Sequence, residues 1–229
     1  MNILLLYPEM PDTIGKFSEM VKLAGRLAPF PPIGLLTVAS MLPAEWNKKV
    51  LDLNTDEFDY RLLNWADYVF ISAMNVQAKS AKEVIDICFQ HNKKIVAGGT
   101  LFTHEYEKYP NVDHFVLNEA ELTLPSFLAD LQNNKAEHIY KTSEFADVHE
   151  SPSPMWELID LNKYLYATVQ YSRGCPYLCD FCDVTALFGR VPRTKSSEQI
   201  INELDAIIKS GANETILFAD VWDVRLLPV

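Results

Sequence analysis

Short, nearly continuous apolar runs alternate with helix-patterned stretches over the first ~145 residues, and this alternation limits the fold more than any other feature. The runs are Asn2–Tyr7, Lys49–Leu53, Tyr68–Ser72, Lys94–Ala97 and His114–Leu117. Such runs suit strands covered on both faces, which is the pattern of a parallel sheet. Between them the spacing predicts helices at Ile33–Leu42, Glu57–Asn64, Ala78–His91, Phe102–Lys108 and Glu121–Leu131. In the third of these, Ala81, Val84, Ile85 and Cys88 fall on one helical face, which gives Cys88 a plain core role. The expected class is α/β, a Rossmann-like doubly wound parallel sheet. Ligands of such sheets bind beyond the carboxyl ends of the strands. The segments that follow strands are therefore the candidates: Ser72-Ala73-Met74, Gly98-Gly99-Thr100 and Asn118-Glu119-Ala120-Glu121, with Pro31-Pro32-Ile33-Gly34 opening a helix.

Residues 145–165 read as a linker, marked by Ser151-Pro152-Ser153-Pro154, which resists regular structure. A strand is expected at Tyr166–Tyr171, a helix at Glu198–Lys209 closed by Ser210-Gly211, and a last strand at Thr215–Phe218. The domain reading is residues 1–144, a linker 145–165, and a second unit 166–229.

Of the chain's 229 residues 48% are hydrophobic, and the formal net charge is −11. Lys and Arg form no stripe of the kind that displaces counterions from phosphates, so no nucleic-acid partner is expected. The apolar runs are too short to span a bilayer. Asn2-Ile3-Leu4-Leu5-Leu6-Tyr7 reads as a strand with no basic segment before it, so the expected location is cytoplasmic.

The sharpest chemical signal is Ser172-Arg173-Gly174-Cys175-Pro176-Tyr177-Leu178-Cys179-Asp180-Phe181-Cys182, three of the four cysteines in a C-x3-C-x2-C loop. Three thiolates suit three irons of a 4Fe–4S cluster and leave the fourth iron open. A purely electron-transferring cluster usually has a fourth cysteine. A structural zinc also takes four ligands, and no histidine follows the loop. Zinc, a disulfide or three unrelated core cysteines are the alternatives.

The loop, with Phe181 before the third cysteine, resembles that of the radical S-adenosylmethionine (radical SAM) superfamily. The resemblance implies that Cys175, Cys179 and Cys182 hold the cluster and that SAM chelates the free iron, to be cleaved to methionine and a 5′-deoxyadenosyl radical. Phe181 and Arg173 are then candidates for the SAM site. Arg173, Arg190 and Arg193 surround the loop and either hold the SAM carboxylate or balance the acidic surface. The preceding strand would begin a partial (β/α) barrel with the loop on its C-terminal face.

Pro31-Pro32-Ile33-Gly34-Leu35-Leu36, Val96-Ala97-Gly98-Gly99 and Asn118-Glu119-Ala120-Glu121-Leu122-Thr123-Leu124-Pro125 resemble the cobalamin-binding domain that precedes many such barrels. Ser72, Gly98, Gly99 and Glu119 become the implied cobalamin contacts. Ser72 would offer a small hydroxyl where the nucleotide tail enters, and the paired glycines would let backbone approach a flat ligand. Relatives often have Gly where Asn118 stands, and Asn also tolerates positive φ. Glu119 and Glu121 could form a carboxylate pair for acid–base work. The plainer expectation has one of them in solvent and the pair stabilising a helix N-terminus. The wording is nearest a subgroup that includes hopanoid C-2 methylases: Tyr7-Pro8-Glu9, Ala66–Met74 and Asp183–Arg190. No histidine stands in a D-x-H-x-x-G pattern, and Asp12-Thr13-Ile14-Gly15 lacks one, so the cobalt would have no His ligand.

The implied activity is C-methylation of an unactivated carbon in a small-molecule or lipid-like substrate, with flavodoxin or ferredoxin as reductant. A different radical SAM chemistry and a non-catalytic remnant that binds corrinoid or cluster are the alternatives. Methylthiolation needs further cluster cysteines, which Cys88 alone does not supply. Only two barrel strands fit after Tyr166, against roughly six to eight in a working barrel, and the tail after Asp220 is unlike the family. The expectation is a chain that stops within the barrel.

Overall fold

The computed structural model describes residues 1–12, 17–180 and 182–211, and the backbone of 216–219. In chain order the elements are β1 (Asn2–Tyr7), α1 (Ser18–Leu23), α2 (Ile33–Met41), β2 (Asn47–Asp52), α3 (Tyr60–Trp65), β3 (Tyr68–Ser72), α4 (Ala78–Gln90), β4 (Lys94–Gly98), α5 (Thr100–Glu105), β5 (His114–Val116), α6 (Ala120–Gln132) and β6 (Ile139–Tyr140). There follow β7 (Ala167–Gln170), β8 (Ser172–Arg173), α7 (Val184–Phe188), β9 (Arg193–Thr194), α8 (Ser197–Lys209) and β10 (Ile216–Ala219).

The first six strands form one parallel sheet in the order β2-β1-β3-β4-β5-β6. The order reverses between β1 and β3, and that switch point opens a crevice at the carboxyl edge. Side chains alternate across the sheet. Leu4 and Leu6 join Val69, Ile95 and the α4 residues Ala81, Val84, Ile85 and Cys88 on one face. Ile3 and Leu5 join Leu35 and Ala39 of α2 and Leu124 and Phe127 of α6 on the other. Cys88 is thus a core residue, as its helical spacing predicts.

Residues 145–165 carry 3₁₀ turns at Val148–Glu150, Trp156–Leu158 and Leu161–Lys163. They are packed rather than extended: Trp156 and Leu161 join Leu36 of α2 with Ala167, Val169 and Ile207 in a third apolar cluster. The Met155 amide donates to the Leu36 carbonyl (3.2 Å), and Ala28 bridges to Tyr164 in parallel. The Tyr164 hydroxyl donates to the buried Asp52 (2.8 Å).

Beyond this segment β7 pairs in parallel with β10 across α8, a βα unit of the expected barrel type. Ser196 and Gln199 form a reciprocal capping box on α8. Gln199 also donates to the carbonyls of Val148 and His149. Lys195 and Glu203 form a buried ion pair at 2.6 Å. Burial pushes the Glu203 carboxyl up, and Lys195 opposes the shift.

Gly98 and Gly99 meet requirements of the sheet itself. A Cβ on Gly98 would lie 2.7 Å from the Val116 carbonyl oxygen of the neighbouring strand. Gly99 has φ +90°, and a Cβ there would lie 2.9 Å from both the Ala73 carbonyl and the Ser72 hydroxyl. Gly34, in α2, has nothing within 4 Å. Gly98→Ala and Gly99→Ala are each expected to lose about 1–3 kcal/mol in urea unfolding through overpacking. Gly34→Ala is expected to be neutral or to gain up to about 1 kcal/mol.

Candidate functional site

The switch point opens into a cleft of about 340 Å³. Tyr7 at the end of β1, Ser72 at the end of β3 with Met74 after it, and Gly99 and Thr100 after β4 line it. Pro31 and Pro32, which lead into α2, and Asn118–Glu121 line it as well, and Gln170 of β7, Arg173 of β8 and Phe188 of α7 reach it. The strand ends are held by side-chain amides, Gln77 buried and Asn54 half-buried. Gln77 accepts from the Met74 amide (2.8 Å) and donates to the Pro8 carbonyl. Asn54 accepts from the Met10 amide (2.8 Å) and donates to the Pro8 carbonyl (3.1 Å). Sequence reasoning passed over Gln77, because a single amide at a helix start has no pattern that marks it. Burial, and then the Asp52 charge, push the Tyr7 phenol above its ordinary range, so it stays neutral.

Between the sheet and helices α2 and α6 a narrower cavity of about 50 Å³ shares Leu35, Val38, Ser72, Gly99, Asn118 and Ala120 with the cleft. Phe70, Val96 and Leu124 close its walls. It is apolar apart from the Ser72 and Asn118 ends, so it suits a flat apolar group entering from the cleft. Of the sequence candidates, Ser72, Gly98 and Gly99 all line this cavity.

Asn118 has φ +64°, the left-handed conformation that Asn tolerates. That turn starts α6 and sends both glutamates inward. The expectation that one of them faces solvent is corrected: the Glu119 and Glu121 side chains are 1% and 10% exposed. Glu119 accepts from Arg173 Nη1 (3.0 Å), Arg193 Nη1 (2.9 Å) and the Ala146 amide (2.9 Å). Glu121 accepts from Arg173 Nη2 (2.8 Å) and the Ser151 hydroxyl (2.7 Å). Arg173 Nε donates to Gln170 (3.0 Å), and Arg193 Nη2 to the Phe188 carbonyl (3.0 Å). Burial raises the Glu121 carboxyl, but the Arg173 guanidinium and the Ser151 hydroxyl outweigh it and hold the group below its ordinary value. Two largely buried arginines, with side chains 12% and 19% exposed, need such partners, because an unpaired buried charge costs several kcal/mol. The carboxylates are therefore spent on the arginines, and neither is free to act as an acid or base. Arg173 faces Glu119, Glu121 and Gln170. Arg190 is exposed near the Pro176 carbonyl (3.4 Å).

The cysteine loop runs between β8 and β9. Gly174 has φ +91°, and a Cβ there would sit 2.5 Å from the Val191 carbonyl, so the base of the loop is tight. The Cys175 amide donates to the Gly189 carbonyl (3.0 Å), and the Cys182 amide to the Cys179 carbonyl (3.0 Å). All three thiols are free, with Cys175 buried, Cys182 half-buried and Cys179 exposed. Their donor set suits an iron–sulfur cluster with one open iron. Among the described residues no three His, Cys, Asp or Glu side chains converge at metal-binding distance. Phe181, the residues Thr13–Gly15 and the tail from Asp220 lie outside the described residues. Among the described residues no helix is long and apolar enough to cross a membrane.

Residues 22–128 match the B12 binding domain family. An uncharacterized methyltransferase of Synechocystis sp. is 37% identical over 222 residues, which cover 96% of this chain and 41% of the relative. The hopanoid C-2 methylase of Rhodopseudomonas palustris is 34% identical over 224 residues, covering 96% and 42%. Among solved structures, the cobalamin-dependent S-adenosylmethionine radical enzyme OxsB superposes with a TM-score of 0.70 at 21% identity, over 96% of this chain and 34% of that one. The radical S-adenosylmethionine methyltransferase TsrM of Kitasatospora setae gives 0.65 at 15% identity, over 96% and 47%. The chain thus spans about two fifths of the length of these curated relatives.

Thiol accessibility gives a direct check on the loop. Burial pushes the Cys88 thiol up to about 12. With a maleimide at pH 7.5, Cys179 is expected to react first and Cys88 only after unfolding, read by peptide mass spectrometry. Rapid native labelling of Cys88 would contradict the packing of α4.

Proposed function

We infer, from a chain that carries a B12-binding domain over residues 22–128 and has the fold of the matching part of cobalamin-dependent radical SAM enzymes, that it binds cobalamin in the switch-point cleft and a 4Fe–4S cluster on Cys175, Cys179 and Cys182. The observation that carries the reading is one of placement: the three-thiol loop stands on a hairpin whose Arg173 bonds the two glutamates of the cleft rim. Bound there, cobalamin and a SAM-ligated cluster supply methyl transfer and radical initiation. The chain's own residues bind and orient. Leu35, Val38, Ser72 and Leu124 receive the nucleotide tail, and Ser72 offers it a hydroxyl. Gly98 and Gly99 keep the strand edge low enough for the corrinoid to approach. Glu119 acts through the arginines it holds, and the three thiols ligate iron.

On this reading residues 1–144 are the corrinoid domain, 145–165 the connection, and 166–229 the start of the barrel. The activity is C-methylation in a cytoplasmic protein, with SAM as cosubstrate and a small reductant such as flavodoxin or ferredoxin. The similarity to a hopanoid methylase supports a lipid-like substrate. Phe181 remains a candidate for the SAM site from its motif position.

Two experiments test the reading. Hydroxocobalamin mixed with the chain is expected to shift its visible spectrum as its lower base is displaced. Val38→Trp, which fills the mouth of the inner cavity, is expected to weaken binding at least tenfold, about 1.4 kcal/mol, in a protein that still folds by circular dichroism. Undiminished binding by that variant would reject the cleft. Anaerobic reconstitution is expected to give about four irons per chain and a visible band bleached by dithionite. Cys175→Ala, Cys179→Ala and Cys182→Ala should each abolish the band and Cys88→Ala should not. Stoichiometric zinc with no iron uptake would reject the cluster.

A further inference from the structure

The hairpin beneath the cysteine loop has an unusual composition. β8 and β9 pair antiparallel over two residues each, in the register Ser172↔Thr194 and Arg173↔Arg193. Half of this short ladder is therefore a pair of arginines directly opposite each other. Like charges in that position oppose strand pairing, and the ladder they oppose is short, two residues a side flanked by the Lys195 amide on the Tyr171 carbonyl (2.8 Å) and the Cys175 amide on the Gly189 carbonyl (3.0 Å). Glu119 answers the repulsion: one carboxylate accepts from Nη1 of both arginines, at 3.0 Å and 2.9 Å. Glu121 takes the second arm of Arg173 (2.8 Å). Neither carboxylate belongs to the hairpin. Both come from the start of α6, on the rim of the cleft.

Resting on the cluster reading above, we propose that Arg173 and Arg193 are positioning residues, and that the cysteine loop closes at its base only when it is docked on Glu119. Undocked, the opposed guanidiniums push β8 from β9. Gly174, Cys175 and the Gly189 carbonyl then lose their shared register. Docked, the carboxylate holds the two strands together and buries Cys175. The loop that carries the three thiols is thereby shaped only against the rim of the corrinoid cleft, so iron ligation and the cleft are held in one arrangement. An arginine pair with an external carboxylate makes closure conditional, where an apolar pair would make it permanent.

The test is pulsed maleimide labelling of the full chain without cofactors, with Cys175 as reporter and Cys88 as internal control. Glu119→Gln keeps the shape and removes the charge. It is expected to raise the labelling rate of Cys175 at least tenfold while Cys88 stays protected. Adding Arg193→Gln to that variant removes the repulsion, and is expected to return Cys175 at least threefold toward the wild-type rate. Equal Cys175 rates in wild type and Glu119→Gln would overturn the proposal. So would exposure of Cys88 together with Cys175, which means global unfolding, and so would a double variant labelled faster than the single one. Iron uptake and the hydroxocobalamin spectrum of the wild-type chain, measured alongside, report on the cofactor reading separately, because the labelling depends on neither.

Discussion

Ile3, Leu4, Leu5 and Leu6 are four consecutive residues with no solvent exposure. A strand like this must be covered on both faces, and parallel neighbours are reachable only by crossing over the sheet. Each crossover in β1–β5 returns the chain to the same edge, so every strand of that set ends where the others end. The order reversal beside β1 parts the crossovers and leaves the crevice. Polar loops are thus gathered at one edge by the burial of apolar strands. Tyr7, Ser72, Gly99 and Asn118 converge there although they are far apart in the chain.

Residues 145–211 are joined to the six-stranded sheet and its helices by two kinds of contact. Trp156 supplies the apolar kind, packed among Leu36, Val169 and Ile207. The glutamate–arginine cluster supplies the polar kind. Buried ion pairs add little net stability against well-packed apolar groups, but breaking one side is costly. Such a cluster therefore selects one arrangement of the two surfaces more than it strengthens the fold. It lies at the base of the loop that carries Cys175.

The sheet was legible because strands covered on both faces carry continuous apolar runs. Asn2–Tyr7 and Tyr68–Ser72 match their runs to the residue, and Cys88 takes the core place its spacing assigns. Local chemistry moved the edges of other elements. Asp59 caps α3 by accepting from the Arg61 amide, so that helix starts at Tyr60 rather than Glu57. α5 starts at Thr100, directly after Gly99, and its last turn tightens to a 3₁₀ helix over Tyr106–Lys108. β6, β8 and β9, with two residues each, are too short to show any periodicity. In the site, the cysteine spacing was plain and so were the loops after the strands. The burial of Glu119 and Glu121 was not, because the partners that bury them lie 27–74 residues further along the chain, and the two arginines at least 52.

That separation has a consequence for the order in which the molecule takes shape. Glu121 is made 52 residues before Arg173. At about 5–20 residues per second the ribosome needs about 3–10 s to supply the partner. Folds dominated by non-local strand pairing form in milliseconds to seconds, so β1–β5 and α6 have time to assemble while the two carboxylates are still hydrated. The nascent sheet then presents a negative rim before any arginine of the hairpin exists. The thiol loop is made after the sheet, onto a surface already formed to receive it.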